Sequence, residues 1–359
     1  MNKNKITPFE LTTLTFFLFN SFLFTTGIQR LAKQNNTDSV LSILIGFLFL
    51  LLFFQLIKGI YQFHQKQDIL GKIEILFPKT KLLIFFLLII ILFTQLIYSI
   101  HQISTFINYY ILKETKLIII TVTLLLTVLY ICKKGIISIV KLSEICFYLY
   151  LFLFIMTIIG TLKYLNLENI KPLLTSTIED NTKSSLLYFS SLIIPFFLIA
   201  MLPKEELSQK KKYEQAIAKG IRYSSLICFL ELLITISILG IQLTKIYLYP
   251  EMIVYKKISF LNILEHLETT LAFSQILNSL FIIVFSLWSL HEIIKKVIPL
   301  KKEKENISYS LLILLLIFAG TLLTIPHRYF LIENIVILTL LVFIRVKIHY
   351  SQTYPAASN

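Results

Sequence analysis

Apolar and polar positions alternate along this chain in long blocks. Most apolar blocks are close to the roughly 20 residues that an α-helix needs to cross a bilayer. They span residues 11–31, 39–60, 81–110, 116–132, 136–163, 184–203, 219–243, 267–297, 307–325 and 330–347. A β-barrel would instead show alternating patterns of about ten residues. The pattern therefore predicts an all-α polytopic membrane protein with about ten transmembrane helices, of which the three longest tilt or project into the interface.

The first apolar block carries a polar interruption at its centre. Asn20 and Ser21 follow a run of apolar residues, and two threonines and a glycine come shortly after them. A membrane helix that is broken to line a cavity needs such groups. We therefore expect half of a small-molecule site here. Its residues are Asn20, Ser21, Phe22, Thr25, Thr26 and Gly27.

The ten blocks divide into five and five, so the second half would lie inverted relative to the first. In such repeats the binding site lies near the midplane, between discontinuous helices at matching positions. The sixth block fits, because Pro195 cannot donate to the carbonyl of Ser191 four residues earlier. Helices 1 and 6 are therefore predicted to be discontinuous. The sixth helix contributes Tyr188, Ser190, Ser191 and Pro195 to the site.

Free backbone N–H groups at the start of a half-helix suit a ligand carboxylate, because the helix dipole favours negative charge there. We expect such donors near residues 25–27 and near Ser190 and Ser191. Phe22 and Tyr188 would form the walls around the ligand side chain.

The sequence predicts one transmembrane domain over residues 1–347. Repeat one covers about 6–164 and repeat two about 184–347, and residues 348–359 are expected to form a flexible tail. About two-thirds of the 34 Lys and Arg residues fall in segments on the side of the N-terminus. This bias predicts that both termini are cytoplasmic. The net charge of +14 is therefore assigned to topology, and nucleic-acid binding is disfavoured.

Two further helices present polar faces. Tyr98 and His101 are three residues apart in the third block, and Ser274 and Asn278 are four apart in the eighth. Residues at these spacings share one face of a helix. Each face either lines the cavity or contacts a neighbouring helix, and the sequence leaves both alternatives open.

Charged residues within a membrane are costly and usually functional. Glu231 lies near the centre of the seventh block. The sequence leaves three alternatives for it: a protonated carboxyl group, a contact with a polar group on a neighbouring helix, or a proton-coupling residue. Lys141 and Glu144 are three residues apart in the fifth block, and a structural pair is the first interpretation. The three cysteines have no metal-ligand spacing, and no catalytic constellation occurs, so we expect no metal, no cofactor and no enzymatic activity.

Short motifs along nearly the whole chain resemble those of a known family. They comprise residues 6–10, 32–35, 69–72, 141–145, 166–173 and 249–250, together with Trp288. In these the chain resembles the B subunit of spore germinant receptors, the endospore germination permeases of the amino acid–polyamine–organocation superfamily. It departs from that family at the first break, where Asn, Ser and Thr stand in place of the usual Gly and Pro.

The resemblance implies a leucine-transporter-type fold, an amino acid or similar germinant, A and C partner subunits, and residence in the inner membrane of the spore. Sensing of a germinant, passed on to partner subunits by conformational change, is the function that this implies. A proton-coupled amino acid transporter is the alternative, and a structural scaffold for the partner subunits is the third.

Overall fold

The computed structural model of the chain describes residues 5–24, 27–202, 204–258, 268–298 and 327–353. Thirteen α-helices account for most of these residues, and the remaining ordered pieces are short 3-10 turns. The helices are α1 (Pro8–Phe24), α2 (Gly27–Asn35), α3 (Ser39–Gln62), α4 (Ile69–Leu76), α5 (Lys81–Tyr110), α6 (Leu117–Lys133), α7 (Ile136–Thr161), α8 (Ile178–Ser190), α9 (Ile193–Ala200), α10 (Tyr213–Ile246), α11 (Pro250–Lys257), α12 (Glu268–Val297) and α13 (His327–Thr353).

Six helical stretches in the described residues are long and apolar enough to cross a membrane. They are Gly27–Gln62, Lys81–Tyr110, Ile136–Tyr164, Ile178–Ala200, Lys210–Ile246 and Glu268–Val297, and α6 is a shorter apolar helix. An all-helical membrane protein is therefore confirmed. The ninth predicted span, 307–325, lies outside the described residues, so the count of ten and the five-plus-five repeat stay predictions.

The described elements follow the same order in both halves of the chain. Each half begins with two short consecutive helices, α1–α2 or α8–α9, followed by a long helix, a short helix and another long helix. The short helices, α4 and α11, occupy matching places between two long ones. The two halves are therefore compatible with a structural repeat.

Three helix boundaries lie six residues away from those predicted. Helix α8 begins at Ile178, because the side chain of Thr177 caps it by accepting from the Asp180 N–H. Helix α10 likewise begins before the predicted residue 219. Helix α13 continues to Thr353, so the part of the predicted tail over 348–353 is helical. Ile348 is fully buried there, which explains why the helix does not end at the last apolar run.

The start of α1 is fixed by a capping box. The Thr7 N–H donates to Glu10 Oε2 at 2.6 Å, and the Glu10 N–H donates to Thr7 Oγ1 at 3.1 Å. Such a reciprocal pair satisfies two of the backbone donors that a helix start leaves free. Pro8 stands at the first helical position, where its missing N–H costs nothing.

Helix α1 packs closely against α10. A Cβ atom added to Gly220 would lie 2.5 Å from Thr15 Cβ and 2.7 Å from the Thr12 carbonyl oxygen. Only glycine fits at this approach, and small residues at interfaces let membrane helices come together in this way.

A bulky residue at this contact should weaken the bundle. We expect Gly220→Val to lower the free energy of unfolding by about 1–3 kcal/mol, because the Thr12 carbonyl cannot move aside cheaply. Thermal unfolding of the purified protein in detergent measures this. Lys219→Ala, at the exposed neighbouring position, is the matched control. Equal melting temperatures for both variants would contradict the close packing.

Candidate functional site

The two interrupted segments lie side by side in the structure. The Phe19 ring of α1 packs against Phe196 of α9, and the Phe22 ring of α1 packs against Tyr188 of α8, each at a centroid distance of 4.8 Å. Helix α1 therefore runs past the junction between α8 and α9, which lies at residues 191–192. Its own junction with α2 follows directly after Phe24. Thr25 and Thr26, both predicted site residues, lie outside the described residues.

Asn20 joins four helices at the centre of the bundle. Its Nδ2 donates to Tyr150 OH of α7 at 3.0 Å and to Asn278 Oδ1 of α12 at 2.8 Å. Its Oδ1 accepts from the Cys228 Sγ of α10 at 3.4 Å. The side chain is fully buried, so in this conformation it is occupied by protein groups. Neighbouring Ser21 donates within its own helix, to the Leu18 carbonyl at 2.7 Å.

Tyr188 connects α8 to three other helices. Its hydroxyl donates to Ser225 Oγ of α10 at 3.1 Å, while its ring meets Phe22. A Cβ atom on Gly46 of α3 would lie 2.6 Å from Tyr188 Cδ1, so α3 closes over the ring from the other side. Gly27, the first residue of α2, is similarly close to the Phe22 ring.

The backbone N–H donors expected near Ser190 and Ser191 lie elsewhere in the structure. The Ser191 N–H donates to the Leu187 carbonyl at 3.2 Å, and the hydroxyls of Ser190 and Ser191 donate to the same carbonyl. Both serines therefore complete the last turn of α8. The first backbone N–H groups of the half-helix α9 lie two to three residues later, at Ile193 and Ile194.

One of these donors already has a partner. The Ile194 N–H donates to Asn334 Oδ1 of α13 at 3.0 Å. Pro195, at the third position of α9, lies where a backbone N–H would lack an intrahelical acceptor in any case. The break therefore precedes the proline, and the proline is compatible with the first turn of the new helix.

Glu231 of α10 is buried and bound to a neighbouring helix. Gln275 Nε2 of α12 donates to Glu231 Oε2 at 3.2 Å and approaches Tyr255 OH of α11 at 3.1 Å. This is one of the alternatives left open for Glu231, contact with a polar group. Ser225, Cys228 and Glu231 follow one another at three-residue spacing, so one ridge of α10 reaches α8, α1 and α12 in turn.

The polar residues of α5 and α12 do not all face one site. Asn278 belongs to the Asn20 cluster, whereas Ser274 donates to the Leu271 carbonyl of its own helix. Tyr98 accepts a hydrogen bond from Arg30 Nη2 of α2 at 2.7 Å, which is the alternative of a helix–helix contact. His101 is half-buried on the same helix.

Lys141 and Glu144 lie near the start of α1 rather than beside Asn20. Both are half-buried on α7, beside Ser143, whose Oγ lies 2.9 Å from Thr13 Oγ1 of α1. Thr13 is two helical turns before Asn20, close to the start of α1. Their pairing with each other stays a prediction.

A cleft of about 770 Å³ opens at the end of the bundle where α5 meets α6 and α10 meets α11. Its lining includes Tyr109, Tyr110, Tyr247, Tyr249, Lys113 and Lys256. The Tyr249 hydroxyl donates to Gln102 Oε1 at 2.9 Å, one residue from His101. Tyr249 therefore lines the cleft and also joins it to α5.

Sequence reasoning missed several residues that form hydrogen bonds with Asn20, Tyr188 or Gln275. Tyr150, Ser225 and Tyr255 are single polar groups in apolar or loop segments, and Cys228 has no metal-ligand spacing to mark it. Gln275 carried a usable signal, because it lies between Ser274 and Asn278 on an otherwise apolar helix.

Long apolar helices with polar contacts buried at their interruptions define an integral membrane protein of the polytopic α-helical class. The family described as spore germination protein matches residues 5–327, so the chain belongs to that family. The predicted resemblance is thereby confirmed. No curated protein matches the chain.

Replacing Asn20 should destabilise the bundle. Asn20→Leu removes the partner of Tyr150, Asn278 and Cys228 together, and buried groups left without a hydrogen bond cost about 1–3 kcal/mol each. We expect a clearly lower melting temperature in detergent. Ser21→Ala is the matched control, because Ser21 bonds only within α1 among the described residues. If the two variants have the same melting temperature, the hydrogen bonds of Asn20 do not stabilise the bundle.

Proposed function

We propose that the chain is the germinant-sensing membrane subunit of a spore germination receptor. An amino acid or similar small nutrient binds near the midplane, between the junctions α1–α2 and α8–α9. The observation that carries this proposal is the contact of Phe22 with Tyr188, which puts the two interrupted segments next to each other. Family membership supports the role in germination, and the matching order of elements supports an inverted repeat with a site at its midplane.

The groups around the two junctions suit a small zwitterion or neutral polar molecule. The first turns of α2 and α9 begin at Gly27 and Ile193. In α9 the Ile194 N–H already has a partner and Pro195 has no N–H, so the donor proposed there for a carboxylate is the Ile193 N–H. Asn278 Nδ2 is buried and has no acceptor within the described part of the chain. Phe22 and Tyr188 provide apolar walls, and Thr25 and Thr26 complete the proposed site.

Binding there would change how the helices pack. A ligand seated between Phe22 and Tyr188 separates two rings that now touch. Tyr188 also holds α10 through Ser225, so displacement of its ring is passed to α10. A ligand shifts such an equilibrium only by its differential affinity for the two arrangements. The A and C partner subunits would read the arrangement that the ligand favours.

The proposed orientation has both termini in the cytoplasm and the protein in the inner membrane of the spore. The distribution of Lys and Arg supports the orientation. The cleft beside Tyr249 would then face outward and form the entrance. Tyr249 lines this entrance and donates to Gln102 of α5, and Arg30 of α2 donates to Tyr98 one turn earlier on α5.

A proton-coupled amino acid transporter is a second candidate. The observation that favours it is Glu231, a carboxyl group buried at mid-helix within hydrogen-bond reach of Gln275. Ionisable groups at this depth are typical of proton pathways. In this reading Glu231 takes up and releases the coupled proton.

Substitution of the two aromatic residues tests whether they form the walls of the ligand site. We expect Tyr188→Leu and Phe22→Leu to change which nutrients trigger germination, because the two rings shape the proposed pocket. The measurement is a panel of amino acids and related nutrients on spores that carry each variant at normal protein level. Tyr148→Leu, on the exposed face of α7, is the control. An unchanged nutrient preference in both wall variants would contradict the site.

Transport separates the two candidate functions. If the chain is a sensor, purified protein in liposomes should not accumulate labelled amino acid when a pH gradient is applied. If it is a transporter, accumulation should occur and Glu231→Gln should abolish it, since the amide cannot carry a proton. Glu168→Gln, an exposed carboxyl group, is the matched control. Robust gradient-driven uptake by the chain alone would overturn the pure-sensor proposal.

A further inference from the structure

A second cleft, of about 690 Å³, opens beside the loop between α4 and α5. Its walls come from the residues just after α3, from the end of α4 with the loop that follows, and from the last turns of α13. Gln62, the last residue of α3, donates from Nε2 to Glu214 Oε1 at 3.1 Å. In the segment before Glu214, the Ser208 N–H donates to the Ile6 carbonyl at 2.9 Å. The cleft therefore lies at the end of the bundle that carries the start of α1.

Aromatic and basic side chains share the wall of this cleft. Phe63 and Phe77 supply aromatic surface, and Lys79 and Lys347 supply two positive charges. The Lys347 ammonium lies 4.4 Å from the centre of the Phe77 ring, so charge and aromatic surface adjoin. The described residues that line the cleft include no Asp or Glu. This wall suits a ligand that has an apolar part and a negatively charged part.

The acidic residue of α4 does not neutralise the two lysines. The carboxylate of Glu74 lies 2.9 Å from Lys296 Nζ and 3.9 Å from Lys81 Nζ, so it is already paired with other ammonium groups. Within the described ranges, neither Lys79 nor Lys347 forms an ion pair. Both lysines are exposed, and their charges are therefore available to an anion in the cleft.

The apolar side of the cleft continues into a lipid-facing surface. The Phe77 ring stacks on Phe343 of α13 at a centroid distance of 5.3 Å. Phe343 is largely exposed, as are Leu82 and Leu83 in the first turn of α5, a helix long and apolar enough to cross a membrane. Exposed apolar side chains on such helices face the acyl chains. The cleft therefore lies at the edge of the apolar layer, where lipid headgroups begin.

We propose that this cleft binds one anionic phospholipid from the leaflet on the side of the N-terminus. The lipid phosphate contacts the ammonium groups of Lys79 and Lys347, and the acyl chains lie along Phe343 and Leu83. Basic pockets between transmembrane helices bind anionic headgroups in this way. A zwitterionic lipid fits less well, because its positive group meets two lysines and no carboxylate. The bound lipid would join α13 to the loop between α4 and α5, and it does not depend on where the nutrient binds.

Lipid-induced stabilisation tests the site on the whole protein. The melting temperature of the purified full chain is measured in a nonionic detergent with increasing phosphatidylglycerol, or with phosphatidylcholine that has the same acyl chains. Saturating phosphatidylglycerol should raise the melting temperature by about 3 °C or more. Phosphatidylcholine should raise it far less, because its headgroup carries no net charge. Raising NaCl from about 0.05 to 0.5 M should weaken the effect of phosphatidylglycerol, since salt screens exposed charges.

A double variant locates the effect. Lys79→Gln combined with Lys347→Gln should increase the phosphatidylglycerol concentration for half of the effect by about tenfold or more. Lys134→Gln is the matched control, because the Lys134 ammonium is likewise exposed and lies 5.0 Å from an aromatic ring, that of Tyr130, outside the cleft. Should the double variant fail to fold, a phosphatidylglycerol with a photoactivatable headgroup is cross-linked to the unmodified protein. The label is expected in peptides that contain residues 63–80 or 347–352.

Three results would overturn the proposal. The first is equal stabilisation by phosphatidylglycerol and phosphatidylcholine, which would show that the headgroup charge is not recognised. The second is an unchanged response of the double variant, or a cross-link confined to other peptides, which would place the lipid elsewhere. The third is full stabilisation by inorganic phosphate or by glycerol phosphate without acyl chains, which would indicate a site for a free anion and not for a lipid.

Discussion

Within the apolar layer of a membrane every polar group has to find its partner inside the protein. In this chain the partners are found where helices stop or bend. Gly240 has a φ of 72° inside α10 and interrupts its hydrogen bonding. The Ser237 carbonyl accepts instead from the Asn166 N–H at 3.2 Å and from Asn169 Nδ2 at 2.8 Å. The loop before α8 is thereby tied to the bend in α10.

The same constraint explains other connections. Asp38, fully buried before α3, accepts from the N–H groups of Leu174 and Ser176 in that loop. At the second interruption, Asn334 of α13 accepts from the first turn of α9. The bend in α10, the start of α3 and the start of α9 are therefore each also a contact between distant parts of the chain.

Hydropathy was sufficient to predict the long helices α3, α5, α6 and α7, which begin and end within a few residues of the apolar blocks. Ser191 also marked the junction between α8 and α9, whereas α1 continues through Asn20 to Phe24. The partners of these residues could not be predicted. Asn20 and Asn278 are 258 positions apart, and the rotation of each helix about its axis decides which polar group faces which. The start of α8 depended on Thr177, a capping residue outside the apolar block.

Helix α10 carries contacts on which both candidate functions depend. Ser225, Cys228 and Glu231 lie along a single ridge of α10 and contact Tyr188, Asn20 and Gln275. The proposed nutrient site would act on the first of these contacts, and Glu231, the proton carrier of the alternative function, makes the last, one to two helical turns away. Whichever of the two functions holds, the packing of α10 against its neighbours is therefore the part of the structure on which it would act.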